Sequence, residues 1–181
     1  MHSDEKDVNA VAKVIRRGTY WAIGPEIEEF ESQIANFVGT RYALAFNSGT
    51  SAILAMLLAI GIENKQVIVP SFTFIATVNP VILAGGTPIF AETETETFGL
   101  DIEDVKKKIT EDTKVIMAFH YGGFPSRDIK ALKALAKKKK MPKDTAKRFA
   151  ALDEWVKTLL GNSWLIKVVS NKKILHVGLR K

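Results

Sequence analysis

A turn of small hydroxylic residues, Asn47-Ser-Gly-Thr-Ser-Ala-Ile53, could bind an anion. It follows a short apolar run and opens a helical pattern. Gly49 lets the backbone approach a ligand closely, and the free N–H groups of a first helical turn point towards such a ligand. The hydroxyl groups of Thr50 and Ser51 could add two more donors. An ordinary helix N-cap is the alternative interpretation, since serine and threonine are preferred there without any ligand.

Further sequence blocks flank this turn in a distinctive order. They are Gly24-Pro-Glu-Ile-Glu-Glu-Phe-Glu31, Phe37-Val-Gly-Thr-Arg-Tyr-Ala43, Val67-Ile-Val-Pro-Ser-Phe-Thr-Phe-Ile-Ala-Thr77, Ala84-Gly-Gly-Thr-Pro-Ile-Phe90, Thr97-Phe-Gly-Leu-Asp101 and His120-Tyr-Gly-Gly-Phe-Pro125. From about Val11 to about Ala136 the chain closely resembles the N-terminal half of DegT-type nucleotide-sugar aminotransferases, which are fold-type-I enzymes that use pyridoxal phosphate. The resemblance implies transfer of an amino group from an amino-acid donor, such as glutamate, to a keto-sugar nucleotide.

Chemistry with pyridoxal phosphate requires four contributions from a protein. They are a lysine that binds the cofactor, a carboxylate for the pyridine nitrogen, an anion site for the phosphate and an aromatic or apolar group over the ring. By resemblance, Gly49, Thr50 and Ser51 hold the phosphate. Phe74 matches the aromatic residue that covers the pyridine ring, with a core aromatic as the alternative. A direct role for His120 is open, because a lone histidine can equally be structural.

The lysine and the carboxylate are expected in the C-terminal part of the chain, where the family pattern becomes irregular. Asp144 resembles the aspartate that binds the pyridine nitrogen, although the apolar strand that should precede it is absent. Two adjacent lysines resemble the cofactor lysine. The spacing from Gly178 favours Lys173, and the spacing from Gly161 favours Lys172.

We therefore divide the chain into two parts. Residues 1–140 are predicted to be the N-terminal part of the large domain of a PLP-dependent aminotransferase. Residues 141–181 are predicted to be a divergent basic tail, a remnant of the cofactor-lysine region, and the C-terminal small domain of the family is expected to be absent. In this tail, segments that resemble the family occur in the right order but with irregular spacing. This suggests the hypothesis of a shifted reading frame. Activity is expected to be impaired. The alternative is an inactive remnant with at most an interaction or structural role.

Strands alternate with helices through the first part of the chain. The patterns predict strands at 42–46, 66–69, 87–91 and 114–119, and helices at 9–17, 25–38, 51–60, 74–83, 101–109 and 126–140. This alternation indicates an α/β fold with three layers and a mostly parallel sheet, here an incomplete PLP-dependent transferase large domain. Ligands of such sheets bind at the carboxyl ends of the strands. The Asn47 turn, the Ser71 turn and His120 each follow a predicted strand.

Composition excludes several other classes of protein. The 181 residues contain no cysteine, so neither a disulfide framework nor a thiolate metal site is expected. No metal-ligating residues of another kind are predicted. No apolar run is long enough for a membrane span, and the N-terminus is polar and acidic, which predicts a cytoplasmic protein without a membrane partner.

The net charge of +6 is unevenly distributed, with 6 Lys/Arg against 14 Asp/Glu through Val105 and 20 against 6 afterwards. Lysines that flank acidic residues or end helices explain this split, so nucleic acid is not expected as a partner. Half of a two-domain fold should expose apolar surface, and the active site of the family is shared between subunits. A homodimer is therefore expected.

Overall fold

The computed structural model describes residues 3–21, 23–138 and 165–166. In chain order, the elements are α1 (Glu5–Arg17), α2 (Pro25–Val38), β1 (Leu44–Ala45), α3 (Gly49–Ile60), β2 (Gln66–Pro70), a 3-10 helix (Ile75–Thr77), α4 (Asn79–Leu83), β3 (Thr87–Ala91), α5 (Ile102–Lys108), β4 (Thr113–Ile116), a second 3-10 helix (Tyr121–Gly123), α6 (Ile129–Lys138) and β5 (Leu165–Ile166).

A parallel sheet in the order β3-β2-β4 forms the centre of the described fold. The central strand β2 is a run of β-branched residues, Val67-Ile-Val69, and none of the three is exposed to solvent. Such a run suits a strand that is covered on both faces. Because successive side chains of a strand point to opposite faces, Val67 and Val69 face one helical layer and Ile68 faces the other.

Two hydrophobic clusters confirm the predicted three-layer α/β architecture. On one face of the sheet, Val67 and Val69 belong to a cluster with residues of α3 and α4, among them Leu57 and Val81. On the other face, Ile68 belongs to a cluster that includes residues of α5 and α6. Within the described ranges, no helix is long and apolar enough to cross a membrane.

The structure corrects several predicted element boundaries. The strand predicted at 42–46 is reduced to β1, which pairs antiparallel with β5 and is not hydrogen-bonded to the parallel sheet among the described residues. Within the described ranges, the Asn47 turn therefore follows a strand of a separate two-stranded sheet, and its place at the edge of the parallel sheet stays a prediction. The helix predicted at 74–83 is a 3-10 helix followed by α4. Pro80 lies in the first turn of α4, where its missing N–H costs no helical hydrogen bond.

Other observed boundaries agree with the predicted ones or differ from them by a few residues. α2 and β3 have the predicted bounds, and α1 ends as predicted at Gly18, which adopts a left-handed conformation with φ 74°. α3 begins at Gly49 instead of residue 51, because Ser48 takes the N-cap position. Likewise, α6 begins at Ile129 and not at residue 126.

Candidate active site

The start of α3 is shaped by its N-cap. Ser48 is extended (φ −159°, ψ 156°), and its Oγ accepts a hydrogen bond from the backbone N–H of Ser51 at 3.1 Å. The two serine Oγ atoms lie 2.9 Å apart and share a hydrogen bond. The predicted alternative, an ordinary N-cap, is thus present in the structure, but Ser48 is the capping residue.

Several hydrogen-bond donors at the start of α3 are not used by the Ser48 cap and are available to an anion. Among the described residues, the backbone N–H groups of Gly49 and Thr50 donate no hydrogen bond, and they lie at the positive end of a helix of 12 residues. The hydroxyl groups of Ser48 and Ser51 carry two hydrogens, and their mutual bond uses one of them. Two N–H groups, one remaining serine hydrogen and the Thr50 hydroxyl form a donor set that fits a phosphate group.

Phe74 lies immediately before the 3-10 helix that packs against α3. Its side chain is 73% exposed, so the alternative of a core aromatic is wrong. An exposed aromatic ring on an element that contacts α3 is available to cover a planar ligand.

His120 is held in one orientation by the chain that follows it. Its Nδ1 accepts a hydrogen bond from the backbone N–H of Ser126 at 2.9 Å. An accepting Nδ1 carries no proton, so the proton of the neutral ring is on Nε2. Burial lowers the pKa of His120, which favours this neutral form. The geometry thus gives His120 a structural role in ordering residues 120–126.

An aromatic cluster that sequence reasoning missed lies beside these residues. Phe72 follows β2, Phe98 follows β3, and Tyr121 follows β4. The ring centroids are 5.6 Å apart for Phe72 and Phe98, 5.3 Å for Phe72 and Tyr121, and 5.5 Å for Phe98 and Tyr121. The only sequence signal was that each aromatic residue occurs after a predicted strand. The cluster joins the loops at the carboxyl edge of the parallel sheet.

A buried carboxylate, also missed, lies in the loop that carries Phe98. Glu94 is 5% exposed. Burial alone raises its pKa, but hydrogen bonds from the Thr97 hydroxyl and from the N–H groups of Thr97, Glu96 and Gly99 outweigh burial and lower the pKa to about 2. The available signal was the position of Glu94 three residues before a threonine and five before a glycine. The carboxylate is therefore ionised across the physiological pH range.

Three predicted site residues, Asp144, Lys172 and Lys173, lie outside the described residues. The structure places α3, whose first residues are Gly49, Thr50 and Ser51, in contact with the 3-10 helix that follows Phe74. No group of three or more His, Asp and Glu side chains in the described ranges could hold a metal ion.

Comparison with known proteins agrees with this architecture. The DegT/DnrJ/EryC1/StrS aminotransferase family matches residues 1–156. The UDP-4-amino-4-deoxy-L-arabinose–oxoglutarate aminotransferase of Shewanella sediminis is 36% identical over 140 residues, which are 77% of this chain and 36% of the relative. The GDP-perosamine synthase of Vibrio cholerae is 40% identical over 113 residues, which are 62% of this chain and 30% of the relative.

A solved structure has the same fold. The aminotransferase from Psychrobacter cryohalolentis superimposes with a TM-score of 0.72 at 31% identity, over 77% of this chain and 36% of that protein. The chain thus spans roughly a third of the length of the relatives that it matches.

Proposed function

The chain belongs to the DegT/DnrJ/EryC1/StrS aminotransferase family, and on this premise we propose that it contributes the phosphate-binding part of a pyridoxal phosphate site that serves amino transfer to a keto-sugar nucleotide. The single observation that carries the proposal is the start of α3. There the N–H groups of Gly49 and Thr50 have no partner among the described residues and a serine pair stands beside them. When bound, pyridoxal phosphate supplies an electron-accepting ring through which an amino group passes from donor to acceptor.

Each described residue has a distinct task in this proposal. Gly49 and Thr50 bind the phosphate through their N–H groups, and the Thr50 hydroxyl adds a donor. Ser51 contributes through the hydroxyl that it shares with Ser48, because its own N–H is used by the cap. Phe74 covers one face of the pyridine ring and excludes water from it.

The remaining tasks fall to residues outside the described ranges. Lys173, or Lys172 in the other register, would bind the cofactor covalently and move protons, and Asp144 would hold the proton on the pyridine nitrogen. The acceptor would be a keto-sugar nucleotide and the donor an amino acid such as glutamate, in keeping with the sugar-nucleotide aminotransferases that the chain resembles. We extend the proposal to a homodimer and, because the chain has no cysteine, to a cytoplasmic location.

A pair of substitutions tests the phosphate site directly. Gly49→Pro removes one N–H donor at the first position of a helix, where proline is tolerated, and Ser48 already has the extended conformation that must precede proline. Gly49→Ala keeps the N–H and is the matched control. We expect Gly49→Pro to weaken pyridoxal phosphate binding about tenfold or more, the change that one hydrogen bond to a charged group is worth. Binding of pyridoxal, which lacks the phosphate, should not change. Equal affinity of both variants for pyridoxal phosphate would reject the site.

The catalytic part is tested separately. Reduction of the complex with borohydride, followed by peptide mass mapping, should locate the cofactor on Lys172 or Lys173. A glutamate-dependent assay at saturating pyridoxal phosphate is then run beside the Lys172→Ala/Lys173→Ala double variant. Turnover that the double variant abolishes would support amino transfer by this chain. Binding without turnover would restrict the function to the cofactor site.

A further inference from the structure

The loop between β3 and α5 is closed on itself around one carboxylate. A β-bridge joins Thr93 to Leu100, and the N–H of Glu94 donates to the carbonyl oxygen of Gly99 at 2.9 Å. We call residues 94–99 the Glu94 loop. The Glu94 carboxylate fills its centre and accepts hydrogen bonds from the N–H groups of Glu96 (2.7 Å), Thr97 (3.0 Å) and Gly99 (3.0 Å), and from the Thr97 hydroxyl. A buried charge is stable only when it is satisfied in this way.

The same carboxylate holds Phe98 in an unfavourable backbone conformation. Phe98 has φ 55°, in the left-handed region that bulky residues rarely adopt. Glu94 binds the N–H groups on both sides of it, at Thr97 and Gly99. The carboxylate thus binds the backbone on both sides of this conformation, in which the Phe98 ring contacts both Phe72 and Tyr121.

Several further contacts fix the Glu94 loop to the segment that follows β4, among them ion pairs of Arg127 with Glu94 at 3.8 Å and with Glu96 at 3.1 Å. A Cβ atom on Gly99 would overlap the Ser126 side chain and lie 3.2 Å from Ser126 Cα, so the Gly99 backbone packs directly against Ser126. The backbone N–H of Arg127 donates to the Thr97 hydroxyl oxygen at 3.1 Å. Because the N–H of Ser126 in turn donates to His120, the Glu94 loop, the aromatic cluster and His120 form one connected unit.

We propose that the Glu94 loop is a positioning element: through Phe98 and Gly99 it locks the turn that carries Phe74 to the segment that carries His120. The part of this inference that concerns cofactor binding through Phe74 rests on the proposed function. Glu94 touches neither cofactor nor substrate in this role. It acts on Phe74 through Phe98 and Phe72, which is two residues before Phe74 in the same turn.

Amide hydrogen exchange on the full chain without cofactor tests the positioning itself. Glu94→Gln replaces an accepting oxygen with an NH₂ group that cannot accept from the loop N–H groups. We expect exchange at residues 71–74 and 120–126 to accelerate about tenfold or more, with β2 unchanged. Glu96→Gln is the matched control, because Glu96 lies in the same loop but its carboxylate is exposed and bonds only Arg127 among the described residues. Unchanged exchange in the Glu94 variant, or the same acceleration in both variants, would overturn the proposal.

Substitutions of Phe98 keep the proposal testable if Glu94→Gln unfolds. Phe98→Gly relieves the backbone strain but removes the ring, whereas Phe98→Tyr keeps the ring. We expect Phe98→Gly to accelerate the same exchange and to weaken pyridoxal phosphate binding about tenfold, and Phe98→Tyr to restore both to within about twofold of the original chain. Phe37→Ala is the control, since Phe37 is 83% exposed on α2 and lies outside both the ring cluster and the two segments whose exchange is measured. If amide exchange in Phe98→Gly equals that of the original chain, the positioning role is contradicted.

The two readouts separate the two proposals. If the original chain binds no pyridoxal phosphate, the proposed function fails, and the exchange data still decide whether Glu94 orders the two segments. If the original chain binds the cofactor and Phe98→Gly binds it equally well, the proposed function stands and the positioning of Phe74 by the loop is wrong.

Discussion

Helices α1 and α3 have similar signals at their ends but differ in the number of residues that they bury. α1 has a capping box, in which Asp4 and Asp7 bond each other's backbone N–H groups, and a left-handed glycine at its C-terminus, yet it buries no residue. α3 has a side-chain cap at Ser48 and also ends at a left-handed glycine, Gly61, but it buries six residues. Local signals are sufficient to start and stop a helix, but burial alone fixes it in the fold. The candidate phosphate site lies on the helix that is fixed by burial.

Most apolar side chains of α1 are exposed, whereas most of those of α3 are buried. Val8, Val11 and Ile15 repeat at helical spacing and are each more than half exposed. At the last residue of α1, the Arg17 guanidinium donates to Glu26 and to the carbonyl oxygens of Thr19 and Tyr20. The hydrogen bond from Arg17 lowers the pKa of Glu26. In the proposed homodimer, this exposed apolar stripe would be covered by the second copy of the chain.

The largest expected effect is a loss of packing under α3. Leu57→Ala removes a fully buried side chain from the cluster that joins α3 to the sheet, and it should lower the free energy of unfolding by about 2–5 kcal/mol. Ile15→Ala, a similar truncation on the exposed stripe of α1, should change it by less than about 0.5 kcal/mol. Denaturant unfolding measures both. Equal losses would show that α1 is packed as firmly as α3.

The next effect depends on pH and concerns the Glu94 loop at the sheet edge. The pKa of Glu94 is about 2 in the folded protein against 4.5 for the ordinary group, so the unfolded chain binds the proton more readily. Stability from Glu94 is therefore fully present above about pH 4.5 and is lost as the pH falls towards 2, by about 3 kcal/mol. Unfolding midpoints measured from pH 6 to pH 2 should show this slope. The slope should be smaller in Glu94→Gln, and an unchanged slope would exclude Glu94 as its origin.

Removal of the N-caps of α1 and α3 should have a smaller effect on stability, and the effect should differ between the two helices. Asp4→Ala and Ser48→Ala each remove an N-cap that is worth about 1 kcal/mol to its helix. Because α1 buries nothing, the loss at Asp4 should appear as faster amide exchange in α1 without a shift of the global midpoint. The loss at Ser48 should shift the global midpoint. A global shift for Asp4→Ala would contradict the distinction between the helices.

The smallest expected effect on stability comes from the stripe of α1. Val11→Asp should change the free energy of unfolding of the monomer by less than about 0.5 kcal/mol, because the side chain is already 59% exposed. The same change should weaken self-association if α1 contributes to the dimer, since it places a charge in an apolar interface. Sedimentation at several concentrations measures this. Lys13→Asp, on the same helix but off the apolar stripe, is the control.

Sequence patterns identified the family, the three-layer α/β class and the positions of most helices and strands. They also predicted a turn with free donors before a helix at 51–60, whereas the structure begins that helix at Gly49 and uses the N–H of Ser51 in the cap. These features depend on short-range periodicity and on residue types within one turn, such as Gly18 at the end of α1 or Pro25 at the start of α2. The structure agrees with them wherever residues close in sequence decide the outcome. The roles of the site residues stay predictions.

Only the tertiary structure revealed the pairing of β1 with β5, the exposure of Phe74, the burial of Glu94 and the cluster of Phe72, Phe98 and Tyr121. Phe98 illustrates the reason. Its sequence neighbours predict no left-handed conformation for a bulky residue, and its ring partners are 26 and 23 positions away along the chain. Sequence by itself determined which segments form helices and strands, because those signals are local. Which side chains meet at the sheet edge was decided by tertiary packing, because contacts between distant residues exist only after the layers have assembled.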